Sequence, residues 1–259
     1  MTRITNTVIA ILVAALAGAL LTPGGAAEAA EVKVLSTVGV KAVLEELIPQ
    51  FERETGIKVT VDFSSSATLK KRIDGGETFD MAIIVSDLID DLVKQGKIAA
   101  NAHENFARTG AGVAILASAP RPDISSVETF KALLVNSKSI ALSDPALGGA
   151  STAYFISLVQ RLGIADNINP KLRPVPPGQV TWPVATGDAD LGIGQISEIV
   201  PDHRVALLGP FPADVQVYTA NSAGISEQAK DLAASKSLMK FLTAPAAASV
   251  LKAKGLEPG

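Results

Sequence analysis

Small hydroxyl-bearing residues and glycines cluster at two points, each where a helical pattern begins. The first is Ser64-Ser65-Ser66-Ala67-Thr68 and the second is Gly148-Gly149-Ala150-Ser151-Thr152. A helix start presents backbone N–H groups without intrahelical partners, together with the positive end of the helix dipole. Hydroxyls placed beside them complete a set of neutral donors suited to a small anion. Burying a dianion without partners costs several kcal/mol or more. Hydrogen bonds to a charged acceptor return roughly 1.5–3 kcal/mol each. Serine at a helix start is also the ordinary N-cap, and for Ser66 and Ser151 the sequence leaves both roles open.

Other chemistries lack their residues. The chain has no cysteine, so thiolate nucleophiles, thiolate metal sites and disulfides are excluded. His103 and His203 are the only histidines. They lie far apart, without metal-ligand spacing, and read as surface residues. No Gly-x-Ser-x-Gly elbow occurs, and neither histidine neighbours a loop serine, so an exported hydrolase is a remote alternative. No catalytic residue, metal site or cofactor is expected. The net charge of −3 argues against nucleic acid as a partner. Lys70-Lys71-Arg72 reads as a solvated helix face. Trp182, the single tryptophan, reads as lobe packing more than ligand stacking.

These residues must be held by a framework, and the hydropathy pattern describes one. Residues 32–35, 58–63 and 81–85 read as strands, each followed by a helix. Val43, Leu44, Leu47, Ile48 and Phe51 share the face of the first helix, which Gly56 ends. Ser86 is expected to cap the third helix, over 87–94. The second half repeats the scheme, with strands at 112–117, 139–142 and 191–194, the last followed by Gln195 and Ser197. Helices are expected to start at Ser125 or Ser126 and after Gly148-Gly149. Two further strands are expected at 205–208 and 215–220, then helices over 225–242 and 245–254. Alternating strands and helices imply mainly parallel sheets with the ligand beyond the strands' carboxyl ends. Hydrophobic residues make up 47% of the chain, enough for two modest cores facing one cleft.

The N-terminus carries Arg3, an apolar run over 8–21, the breaker Pro23-Gly24-Gly25 and the small-residue pattern Ala27-Glu28-Ala29. This reads as an export signal at 1–29, cleaved near Ala29, which implies a periplasmic protein. The alternative is an uncleaved membrane anchor.

Three segments together carry a family resemblance over 34–258. They are Phe63 to Leu69 with Phe79-Asp80-Met81-Ala82-Ile83; Ser143-Asp144-Pro145 with 149–154 and Leu162-Gly163; and Leu242-Thr243-Ala244-Pro245-Ala246-Ala247 with Leu251 and Gly255-Leu256. In order and spacing they resemble the periplasmic molybdate-binding proteins of ATP-driven importers. The resemblance implies an α/β, two-lobed periplasmic-binding-protein fold of type 2. Lobe one would comprise 30–111 plus 217–259 and lobe two 112–216, with a hinge at the crossovers and the C-terminal helices on lobe one. It also implies capture of a molybdate- or tungstate-like oxyanion by lobe closure, and delivery to the membrane permease of an ABC importer by a monomer. Carried over residue by residue, Ser66 matches a hydroxyl ligand, and the first-loop serine falls on Gly39, near Thr37. Ser151 and Gly194 match backbone N–H donors, with Ser65 and Thr152 beside them. The family's ligand tyrosine falls at Val217 or Tyr218, and strand alternation decides between them. Glycine at 39 enlarges the pocket, so a small organic acid or other polar metabolite is the alternative ligand.

Overall fold

The structure is a computed structural model, and it describes residues 30–259. The expected export signal therefore lies outside the described residues. In chain order, β1 (Glu31–Thr37), α1 (Lys41–Thr55), β2 (Lys58–Ser64), α2 (Ser66–Asp74), β3 (Met81–Val85) and α3 (Ser86–Lys94) form three strand–helix units. β4 (Ile98–Leu116) follows, then α4 (Val127–Asn136), β5 (Ile140–Ser143), α5 (Ala150–Arg161), α6 (Ala165–Ile168) and β6 (Leu172–Val175). The chain continues through α7 (Trp182–Thr186), β7 (Leu191–Gln195), α8 (Ile196–Ile199), β8 (Val205–Pro210) and β9 (Tyr218–Ser226). It ends with α9 (Leu232–Leu242), α10 (Ala248–Ala253) and β10 (Glu257–Pro258).

Hydrogen bonding links the strands in the order β2-β1-β3-β9-β4-β7-β5-β6, with β8 and β10 each pairing to β4. β1 runs parallel to β2 and β3, and β5 runs parallel to β6 and β7. β4 pairs with β9 along its first part and with β7 and β8 along its last part. It therefore belongs to both lobes, and β9 carries the chain back into the first.

Each lobe closes its own core, because its strands are apolar on both faces and need helices on each side. In the first, Val32, Val34 and Ile83 pack against Val43, Leu44, Leu47 and Phe51 of α1 and against Leu238, Leu242 and Leu251 of the C-terminal helices. Leu35, Ala82 and Ile84 cover the opposite face with Leu69, Ile73 and Ile89. In the second, Val113, Leu142 and Ile193 pack with Phe130, Phe155 and Phe211. Asp80 ties the first lobe together at one buried point: its carboxylate accepts from Lys33 N at 2.8 Å and Lys230 N at 2.7 Å.

The structure corrects several expectations. The expected 112–117 strand is only the end of β4. The expected helix over 225–242 starts at Leu232 behind an Asp231 cap, and Ile225 is strand. Residues 213–215 form a 3-10 turn, so the strand expected at 215–220 begins at Tyr218. Ser126, not Ser125, caps α4. Ser86 does not cap α3; its hydroxyl lies 2.8 Å from that of Ser222. Trp182 is 53% exposed rather than packed between lobes. His103 is half-buried with Nδ1 unpartnered, whereas His203 is exposed as expected.

One carboxyl in the second lobe is held against its chemistry. Glu198 Oε2 is closed off from solvent and accepts no hydrogen bond, and burial pushes the group up to about 7. A raised folded-state pKa means that stability present below the unfolded value, about 4.5, is lost as pH rises through about 7. Glu198→Gln is therefore expected to stabilise the protein at about pH 8 by on the order of 2 kcal/mol and to change little near pH 4. Thermal melts across that range check it, and an advantage that does not grow with pH refutes it.

Candidate functional site

Four carboxyl ends of parallel strands meet two against two. The ends of β1 and β2 lie side by side, with Thr37 in register with Ser64. The ends of β7 and β5 lie side by side on the facing lobe, with Leu142 in register with Ile193. The residues just beyond them touch across the seam. Ser65 Oγ donates to Leu147 O at 2.5 Å, and Thr68 Oγ1 donates to the same carbonyl at 3.2 Å. Gly148 has φ +74°, and a methyl group added there would lie 2.7 Å from Ala67 Cβ. Glycine is thus required twice over, by backbone conformation and by lobe contact. A methyl group on Gly39 would lie 2.1 Å from Gln195 Oε1.

The donors inside this quartet differ in what remains free. Ser65 is the N-cap of α2: it accepts from Thr68 N and spends its proton on Leu147 O. Ser66 accepts from Val85 N at 3.2 Å, which leaves its own proton available. The cap role that the sequence left open for Ser66 therefore falls to Ser65. On the second lobe α5 begins after Gly149, which offers no side-chain cap. Its first-turn N–H groups keep the positive end of the dipole uncovered. Ser151 and Thr152 are buried in that turn, and Thr152 Oγ1 has no partner. Thr37 and Gly39 are buried opposite them. Every one of these groups is uncharged, so what the seam could offer an anion is oriented dipoles and hydroxyls alone.

Two expected site residues stand elsewhere. Tyr218 is 56% exposed, with the Arg108 guanidinium 5.4 Å from its ring centroid. Alternation along β9 turns Thr219 and Asn221 inward instead, and Val217 packs on the second core, so neither candidate position brings a hydroxyl to the seam. Gly194 is buried within β7 opposite Gly112, and its open face meets Val180 and Glu198. Two members of the basic run on α2 are committed to their own lobe: Lys70 pairs with Asp74, and Arg72 pairs with Asp62 and Glu77, while Lys71 is exposed. The Arg72 guanidinium holds the Glu77 carboxyl down to about 2.

Gln195 reaches the seam without any local mark in the sequence, and only the long-range approach to Gly39 reveals it. Asn221 is unmarked likewise; it is 1% exposed, with both Oδ1 and Nδ2 unpartnered. Among the described residues no His, Asp and Glu side chains assemble into a metal-binding group, and no helix is long and apolar enough to cross a membrane.

Comparison with known proteins follows the same lines. A family profile described as bacterial extracellular solute-binding protein matches residues 32–257. Aconitate isomerase of a Pseudomonas species is 29% identical over 232 residues, covering 87% of each chain. Molybdate-binding protein ModA of Azotobacter vinelandii is 28% identical over 250 residues, covering 94% of this chain and 96% of that one. The solved structure of the Azotobacter vinelandii periplasmic molybdate-binding protein matches with a TM-score of 0.73 at 20% identity, covering 88% of this chain and 99% of that one. The chain therefore belongs to the bacterial extracellular solute-binding protein family, in which its likeness runs to the molybdate-binding proteins.

Proposed function

We propose that this protein is a periplasmic solute-binding protein that captures a small anion between its lobes and presents it to the membrane permease of an ABC importer. The observation that carries the reading is the convergence of neutral, unspent donors from both lobes. These are the Ser66 hydroxyl on one side and the uncapped start of α5, with Thr152, on the other. The lobes are assigned as 30–111 plus 217–259 and 112–216, moving about the crossover segments of β4 and β9. The working form is a monomer. A molybdate- or tungstate-like oxyanion is the first reading of the ligand, supported by the likeness to molybdate-binding proteins.

A small organic acid is the second reading. It gains nothing from a wider pocket at Gly39, contrary to the expectation from sequence, because the Gln195 amide takes the space of a side chain there. It is favoured by the relative named aconitate isomerase. Both readings describe binding without turnover.

A thermal-shift screen against molybdate, tungstate, sulfate, phosphate and small di- and tricarboxylates checks the reading. The true ligand at a hundred times its Kd is expected to add about 2.7 kcal/mol; no shift with any anion removes the reading. Ser66→Ala is expected to weaken binding by about 10- to 100-fold in calorimetry, the loss of one charge-assisted bond. Unchanged affinity would reduce Ser66 to a structural serine. Incubation with cis- and trans-aconitate, followed by ultraviolet absorbance, is expected to show no interconversion. Interconversion would replace binding with turnover.

A further inference from the structure

Gln195 closes β7 and is 7% exposed. Its amide lies against Gly39 so closely that an added methyl would sit 2.1 Å from Oε1 and 3.1 Å from Cδ. Only glycine leaves room for it. Oε1 is shut off from solvent and accepts no hydrogen bond. Asn221, on the strand that returns to the first lobe, repeats the condition independently. It lies opposite Val85, whose N–H donates to Ser66 Oγ, so its backbone is one strand away from Ser66. Neither end of its amide has a partner. Whichever way that amide is turned, one buried oxygen is left needing a proton donor.

A buried acceptor without a donor is costly, because it has given up water and gained nothing in return. A fully deprotonated tetrahedral oxyanion carries only acceptor oxygens. It satisfies Ser66 and the α5 N–H groups, yet leaves the amide oxygens unpaired and faces them with like partial charge. A ligand that joins carboxylates to a hydroxyl satisfies both sets: its carboxylates take the donors and its hydroxyl serves an amide oxygen.

We infer that Gln195, lodged over Gly39, is a specificity-determining residue and that the ligand is a small hydroxy-carboxylate rather than a bare oxyanion. The inference rests on the interlobe seam being the anion site.

Calorimetry at about pH 8, where carboxyls are ionised, tests it with matched pairs: malate against succinate, and citrate against tricarballylate, with molybdate alongside. At least one hydroxy acid is expected to bind about tenfold or more tightly than its deoxy partner and more tightly than molybdate. In Gln195→Met that preference is expected to fall to within about threefold. Gly39→Ala, which pushes the amide aside, is expected to do the same and carries the test should Gln195→Met not fold. Equal affinity within both pairs, a preference that survives both variants, or molybdate binding tightest overturns the inference and leaves the anion-binding reading in place. Failure of every anion to bind overturns both.

Discussion

The structure depends on one strand that belongs to two cores. β4 lends its first part to the lobe built on β1, β2 and β3, and its last part to the lobe built on β5, β6 and β7. A parallel sheet buries both faces and directs its loops to one end. Two such sheets joined through β4 and β9 set their loop ends against each other. The contacts of Ser65 and Thr68 with Leu147, and of Gly39 with Gln195, follow from that arrangement. The seam is thus a consequence of topology before it is a matter of particular side chains.

Within the seam, dipoles do the work that charge does elsewhere. Lys70 and Arg72 of α2 are bound to neighbouring carboxylates and contribute to the first lobe's surface. What faces the second lobe is hydroxyl, amide and helix start. Such a site selects by the direction of each donor and acceptor. The division of labour between Ser65 and Ser66 shows how local this selection is: one residue along the chain converts a cap and lobe contact into a free donor.

Much of this was legible in the sequence because it is local. Periodic apolar faces placed α1, and clusters of small polar residues placed the starts of α2 and α5. What escaped was governed by distance or by weak patterning. The first part of β4, rich in alanine and asparagine and interrupted by register shifts, has no clean alternation to read. β9 is buried along most of its length, so Ile225 carries no period that separates strand from helix. A half-turn of strand alternation sends Tyr218 outward and Asn221 inward. Gln195 acquires meaning only because residue 39, far away in sequence, has no side chain.

The return of the chain through β9 also fixes the order in which the molecule can be completed. The first core draws on Val32 near one end of the described chain and on Leu251 and Leu256 near the other, whereas the second is drawn from the intervening segment. A chain emerging from its N-terminus can cover one face of β1 early, with α2 and α3, but the face shared with α1 lacks α9 and α10 until much later. The second lobe can condense well before that moment. Long-range closure of this kind is slow and leaves apolar surface waiting, so the early-synthesised half of this protein is the half that finishes folding last.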